Sequence, residues 1–212
     1  MNKKIFVIGF NKTATSSFHA LFSTLGINSI HTPRNVMEII DDYDAFTDGW
    51  HLKFTDYFNK YPDSLFILNT RPIKKWLISR YKHAAIDNWK DSWCWPVSEE
   101  LTNLWIKEGE YHFNNVLKFF KEKSNQLVIL NIEKPGWENF VVNFVEKFLQ
   151  KKYYEDDFKI VDNKTDEYLI SKERADLIKF NVDKCLKDNN YNGNEILFKE
   201  ADINKYNYHT FL

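Results

Sequence analysis

The chain opens on a short apolar strand that runs straight into a helix, and this junction constrains everything after it. Residues 5–9 (IFVIG) are β-branched and aromatic residues ending in glycine, the make-up of a buried strand. A turn follows, Phe10-Asn11-Lys12-Thr13-Ala14. Residues 15–25 then place Phe18, Leu21, Phe22 and Leu25 at spacings of three and four, which gives a helix one apolar face. Gly26 is a suitable helix stop.

The same alternation continues along the chain. Residues 27–31 read as a second strand, and Pro33 suits the first turn of a helix reaching about residue 40. A short third strand over 45–48 precedes a helix over 52–61, and 64–69 is a strong strand. Arg71-Pro72 opens a helix to about residue 82. Residues 87–96 are irregular and rich in tryptophan, and 99–123 read as a long helix. The last clear strand is 127–132, followed by an amphipathic helix over 137–150 and one more helix over 172–188. Strands that alternate with helices imply parallel pairing, because parallel neighbours need a crossover. The expected fold class is therefore α/β, a three-layer α/β/α arrangement around a central parallel sheet with a helical, Trp-rich insert. Ligands of such sheets bind at the carboxyl ends of the strands. The 212 residues suit a single domain over 1–212, with a core of about 3–170 and a helical tail of about 171–212.

Charge and composition narrow the partners. A formal net charge of -1 argues against broad electrostatic binding to nucleic acid, so an anionic ligand needs a local pocket. Cys94 and Cys185 are far apart and neither sits in a CxxC, so a disulfide framework or zinc site is not expected. The apolar run after Lys3-Lys4 is too short for a signal peptide, and nothing approaches the roughly 20 apolar residues of a membrane span. The expectation is a cytoplasmic protein without a membrane partner.

The turn between the first strand and first helix carries the most chemistry. Asn11, Lys12, Thr13, Ala14, Thr15, Ser16 and Ser17 combine a helix N-terminus, hydroxyl donors and a cation, which suits a phosphate group. Laid on the nucleotide-binding pattern GxxxxGK[ST], Gly9 matches the first glycine, but Ala14 and Thr15 stand where that pattern has glycine and lysine. The lysine has moved forward to Lys12, which weakens a kinase or NTPase reading. A second element lies at the end of the strand over 64–69. There Arg71 emerges with Pro72, and Ser79 follows eight residues later, about two helical turns on. An arginine so placed can grip a phosphate with two parallel hydrogen bonds.

Together these elements resemble the PAPS-dependent sulfotransferase family, whose donor is 3′-phosphoadenosine 5′-phosphosulfate. The early lysine matches that family's 5′-phosphosulfate loop, and Arg71 with Ser79 matches its 3′-phosphate element. Lys134-Pro135-Gly136-Trp137-Glu138 is similar to a Gly-Trp-Glu segment of some members, and FKIVDN at 158–163 to a Phe-Pro-x-x-Asn stretch, with Lys159 where proline is usual. The resemblance spans roughly residues 3–170. It implies a P-loop-like sulfotransferase fold and in-line transfer of a sulfuryl group from PAPS to a hydroxyl or amine, releasing 3′,5′-ADP. Lys12 would stabilise the leaving phosphate, residues 11–17 would hold the 5′-phosphate, and Gly136 and Trp137 would also contact the donor. No metal is required, because the sulfuryl group carries less charge than a phosphoryl group.

The acceptor must lose a proton, and Asp48 or His51 is the candidate base. Asp48 is preferred for its place at the strand end, whereas His51 has the better ordinary pKa. His31, Trp89 and Trp93 are candidate acceptor contacts, with Trp95, Trp105, Tyr81 and His83 nearby; the same aromatics could equally be core. The expected partner is a small-molecule or saccharide acceptor, and the expected state a monomer or homodimer. The rival readings are a nucleotide kinase or NTPase on the same fold, and a non-catalytic nucleotide-binding protein.

Overall fold

The computed structural model describes residues 3–33, 35–48, 53–84, 97–153, 170–196, 203 and 208–212. Among them the element order is β1 (Ile5–Val7), α1 (Thr15–Thr24), β2 (Ser29–His31), α2 (Val36–Ile39), β3 (Ala45–Thr47), α3 (Phe54–Lys60), β4 (Leu65–Thr70), α4 (Ile73–Ala84), α5 (Glu99–Phe120), β5 (Leu127–Asn131), α6 (Trp137–Leu149), α7 (Lys172–Asp188) and β6 (His209–Phe211). The strands form one sheet in the order β2-β3-β1-β4-β5-β6, and every pairing is parallel. The expected α/β class with a parallel sheet is what the chain adopts. The expected last strand, however, is not the last: β6 adds to the edge of β5. Among the described residues, no helix is long and apolar enough to cross a membrane.

The chain packs as two compact units, Met1–Thr70 with Asn115–Asn163 and Asp202–Leu212, and Arg71–Asn114 with Lys164–Ala201. The first unit holds the sheet. Its four inner strands, β3, β1, β4 and β5, are buried on both faces, so successive residues serve different layers. Ile5 and Val7 face a cluster built with Phe18, Leu21 and Phe22 of α1 and Trp137, Val141 and Val145 of α6. Phe6, between them, faces the other way. Its ring stacks on Phe46 of β3 at 5.3 Å, Phe66 of β4 at 5.2 Å and Tyr57 of α3 at 5.0 Å, a row set by the strand register. Phe120, in the last turn of α5, closes this layer 4.9 Å from Phe66. Aromatic pairs of this kind contribute about 0.5–1.5 kcal/mol each beyond their buried area.

Helix α1 ends as its sequence requires. Gly26 takes φ 69, its N–H donates to Ser23 O at 3.0 Å, and that of Ile27 donates to Phe22 O at 2.9 Å. This is the double-bonded left-handed stop that glycine makes at no steric cost.

The second unit is helical. Tyr81 of α4 packs on Trp105 of α5 at 4.6 Å, and its hydroxyl meets Thr102 Oγ1 at 2.7 Å. The Arg80 guanidinium lies 4.2 Å over the Trp105 ring. Helix α7 begins at an N-cap, with Ser171 Oγ accepting from Arg174 N, and Lys74 of α4 pairs with its Asp183 at 2.5 Å. Trp105 and Tyr81 are thus the buried core of this unit.

Candidate functional site

All strands run the same way, so their carboxyl ends share one edge. The chain leaves β1 toward β2 on one side and leaves β4 toward β5 on the other, which opens a crevice where the order reverses. Four sequence-derived candidates of the first unit lie along this edge: the 11–17 turn after β1, His31 ending β2, Asp48 after β3 and Gly136 after β5.

The turn is held from below by Asn69 of β4. Gly9 N donates to Asn69 Oδ1 at 2.8 Å, while Asn69 Nδ2 donates at 2.6 Å to both the carbonyl and the hydroxyl oxygen of Thr13. Thr13 Oγ1 in turn donates to Phe10 O. The approach is so close that a Cβ on residue 9 would stand 2.1 Å from the Asn69 carbonyl oxygen, which is why this position is glycine. Lys12 and Ala14, flanking the gripped Thr13, both sit in the left-handed region at φ 65. That conformation costs a non-glycine residue about 1–2 kcal/mol, which the three Asn69 bonds offset.

The start of α1, whose N-cap is Ala14, carries neither a side-chain cap nor an acidic residue. The positive end of the helix therefore stays uncompensated beside the Thr15, Ser16 and Ser17 hydroxyls. Thr15 is buried, Ser17 half-buried and Ser16 exposed; Asn11 is half-buried behind them.

Lys12 and Asp48 interact electrostatically at this edge. Burial holds the Lys12 ammonium below its ordinary value, an effect the Asp48 charge opposes. Burial pushes the Asp48 carboxyl up to about 6, against the pull of Lys12 and of a hydrogen bond from the Thr32 side chain. Asp48 and Thr32 are themselves left-handed, at φ 58 and φ 55. His31 joins the same edge: its Nδ1 lies 3.0 Å from Thr47 Oγ1 and its Nε2 3.1 Å from Ser16 Oγ.

The other candidates fall as follows. Gly136, at φ 84, is the N-cap of α6 and is exposed. The Trp137 ring is buried against Phe18 at 4.8 Å, supporting α1. In the second unit, Arg71 stands ahead of α4 and Ser79 lies within it, both half-buried. His51, Trp89, Trp93, Trp95 and the 158–163 stretch lie outside the described residues. Sequence reasoning missed Asn69, Thr47 and Thr32. Only Asn69 left a trace, as an amide in an otherwise apolar strand.

Residues 31–126 match the family model described as Sulfotransferase domain, a stretch that begins at the end of β2 and contains Asp48, Arg71 and Ser79. No curated protein matches the chain. The match covers less than half of the chain, and the all-parallel sheet flanked by helices is consistent with a sulfotransferase fold.

Proposed function

We propose that the protein transfers a sulfuryl group from PAPS to a hydroxyl or amine of a small or saccharide-like acceptor. The observation that carries this reading is the Asn69-gripped turn, which leaves the start of α1 uncapped and free of acid with Lys12 beside it. A donor set of helix N–H groups, hydroxyls and one lysine fits an anionic group and would repel none of its oxygens.

When bound, PAPS supplies the sulfuryl group and leaves as 3′,5′-ADP: the acceptor–sulfur bond forms as the bond from sulfur to the bridging oxygen breaks. Lys12 neutralises the charge that gathers on the departing phosphate oxygen. Thr15, Ser16, Ser17 and the backbone N–H groups of residues 11–17 hold the 5′-phosphate; the Thr13 hydroxyl instead fixes the turn. Asp48 takes the acceptor's proton, and its raised pKa places it near the range where a carboxylate is an effective base. Arg71 and Ser79 are assigned to the 3′-phosphate, and the exposed Gly136 backbone to the donor's flank. His51 is the alternative base, and Trp89 and Trp93 are assigned to the acceptor.

The test is thermal stability with 3′,5′-ADP, 5′-AMP or ATP with Mg²⁺, paired with turnover of radiolabelled PAPS on hydroxyl and amine acceptors. A ligand at a hundredfold over its Kd adds about 2.7 kcal/mol, several degrees for a chain of this size. The expected result is a clear shift with 3′,5′-ADP and a smaller one with 5′-AMP. Equal shifts would remove the 3′-phosphate assignment, and a preference for ATP with Mg²⁺ would favour a kinase.

A further inference from the structure

His31 ends β2, a strand with no part in gripping the turn, yet it reaches the first turn of α1. Thr47 Oγ1, its partner across the β2–β3 register, directs its own proton at Ile30 O at 3.3 Å. Its oxygen is therefore an acceptor toward His31, and Nδ1 carries the ring hydrogen. Nε2 then offers a lone pair, and the Ser16 hydroxyl 3.1 Å away is the donor that meets it. A serine has one proton to give. While it points at the imidazole, it is not available to an anion at the helix start.

We infer that His31 is a positioning residue that acts through Ser16: neutral, it holds the hydroxyl proton of Ser16 on its own ring, and on protonation it frees that proton and adds a positive charge beside the start of α1. This rests on the reading of the 11–17 turn as an anion site. Protonated imidazole is a donor at both nitrogens, so Ser16 Oγ becomes an acceptor from Nε2 and its hydrogen turns outward. An anion at the turn favours the charged ring, so anion binding and proton uptake reinforce one another and affinity rises as pH falls.

The groups around the ring set the starting point. From α1, His19 stacks on it with centroids 6.0 Å apart and is itself anchored to Ser29 Oγ at 2.8 Å. Lys12 approaches from the turn, and β3 contributes Thr47 and, next along, Asp48, which interacts with Lys12 and Thr32. Burial and the His19 and Lys12 charges hold His31 below its ordinary value despite a hydrogen bond to the Thr47 backbone, so the ring is neutral near pH 7. An arriving anion offsets the two cationic influences.

The experiment is a nitrogen-resolved NMR titration of His31 in the whole chain between about pH 5 and 8, with sodium sulfate or with sodium chloride at equal ionic strength. Sulfate stays a dianion across this range, so any proton taken up on binding is taken up by the protein. The free protein is expected to show hydrogen at Nδ1 and a midpoint below the ordinary one. Sulfate is expected to raise the midpoint by about one pH unit, equivalent to about tenfold tighter binding below the transition. Ser16→Ala is expected to lift the free midpoint and shrink the response to sulfate, whereas Asp48→Asn should preserve the response. Hydrogen at Nε2, a midpoint indifferent to sulfate, an unchanged titration in Ser16→Ala, or loss of the response in Asp48→Asn would each overturn the inference. The donor assignment is judged separately. Sulfate linkage at His31 without discrimination between 3′,5′-ADP and 5′-AMP would sink PAPS and keep this inference, and the converse result would do the reverse.

Discussion

Asp48, the proposed base, illustrates how burying a carboxyl for chemistry would come at the expense of the fold. Its carboxyl titrates at about 6 in the folded chain against an ordinary 3.8, so the folded state binds the extra proton between those values. The stability this represents is fully present below about pH 4 and is lost as pH rises through about 6. Asp48→Asn, which tolerates the left-handed backbone, should therefore stabilise the protein above pH 6 by on the order of 2 kcal/mol. Urea melts across pH 4–8 should show this gain together with a flatter pH profile. Turnover of the same variant should fall by about 10²–10⁴, the range for loss of a general base. In the wild type, turnover should climb through about pH 6; a rate flat across that interval would remove Asp48 from the reaction. Lys12→Ala separates binding from chemistry in a different way. If the lysine acts on charge that develops during transfer, kcat should drop by about 10²–10³ while the Kd for 3′,5′-ADP rises much less, as calorimetry and single-turnover rates would reveal.

Between elements, the decisive joint is β4 to the turn that follows β1. Asn69 accepts once and donates twice there, so Asn69→Asp keeps the Gly9 bond but aims a carboxylate oxygen at two Thr13 oxygens. The expected cost is about 1–3 kcal/mol in urea denaturation, with a smaller melting shift on 3′,5′-ADP because the turn loosens. A variant as stable and as responsive as wild type would show that the turn holds itself. The turn was legible in the sequence because the hydrophobic period switches there from strand to helix. Its anchor was not legible, since Asn69 lies far away in the chain and meets Gly9 only once β1 and β4 align with Val7 opposite Ile67. The contact of His31 with Ser16 was hidden for the same reason: it depends on where β2 and α1 pack, not on local pattern. Helix α7 ran from Lys172 to Asp188 as expected, because Ser171 caps it and its turns are long enough to register. Strand β6 is three residues, too short for alternation to be seen.

At the scale of the molecule, β6 closes one side of the sheet. Phe211 stacks on Phe140 at 4.9 Å and His209 lies 4.6 Å from Phe144, so the strand covers α6 as well as the β5 edge. Deleting residues 209–212 should bare a row of backbone donors and acceptors on β5 together with an aromatic patch. The expected outcome is a lower melting temperature and added concentration-dependent association by light scattering; a truncated chain that associates no more than the intact one and is equally stable would count against a covering role. The order of strands also has a consequence for how the protein is made. β5 pairs with β4 early, but its other partner is encoded long after it, beyond α6 and the whole of α7. Throughout that stretch of translation the nascent chain carries β5 with one edge open, and the β5–β6 pairing waits for residues 209–211 to leave the ribosome.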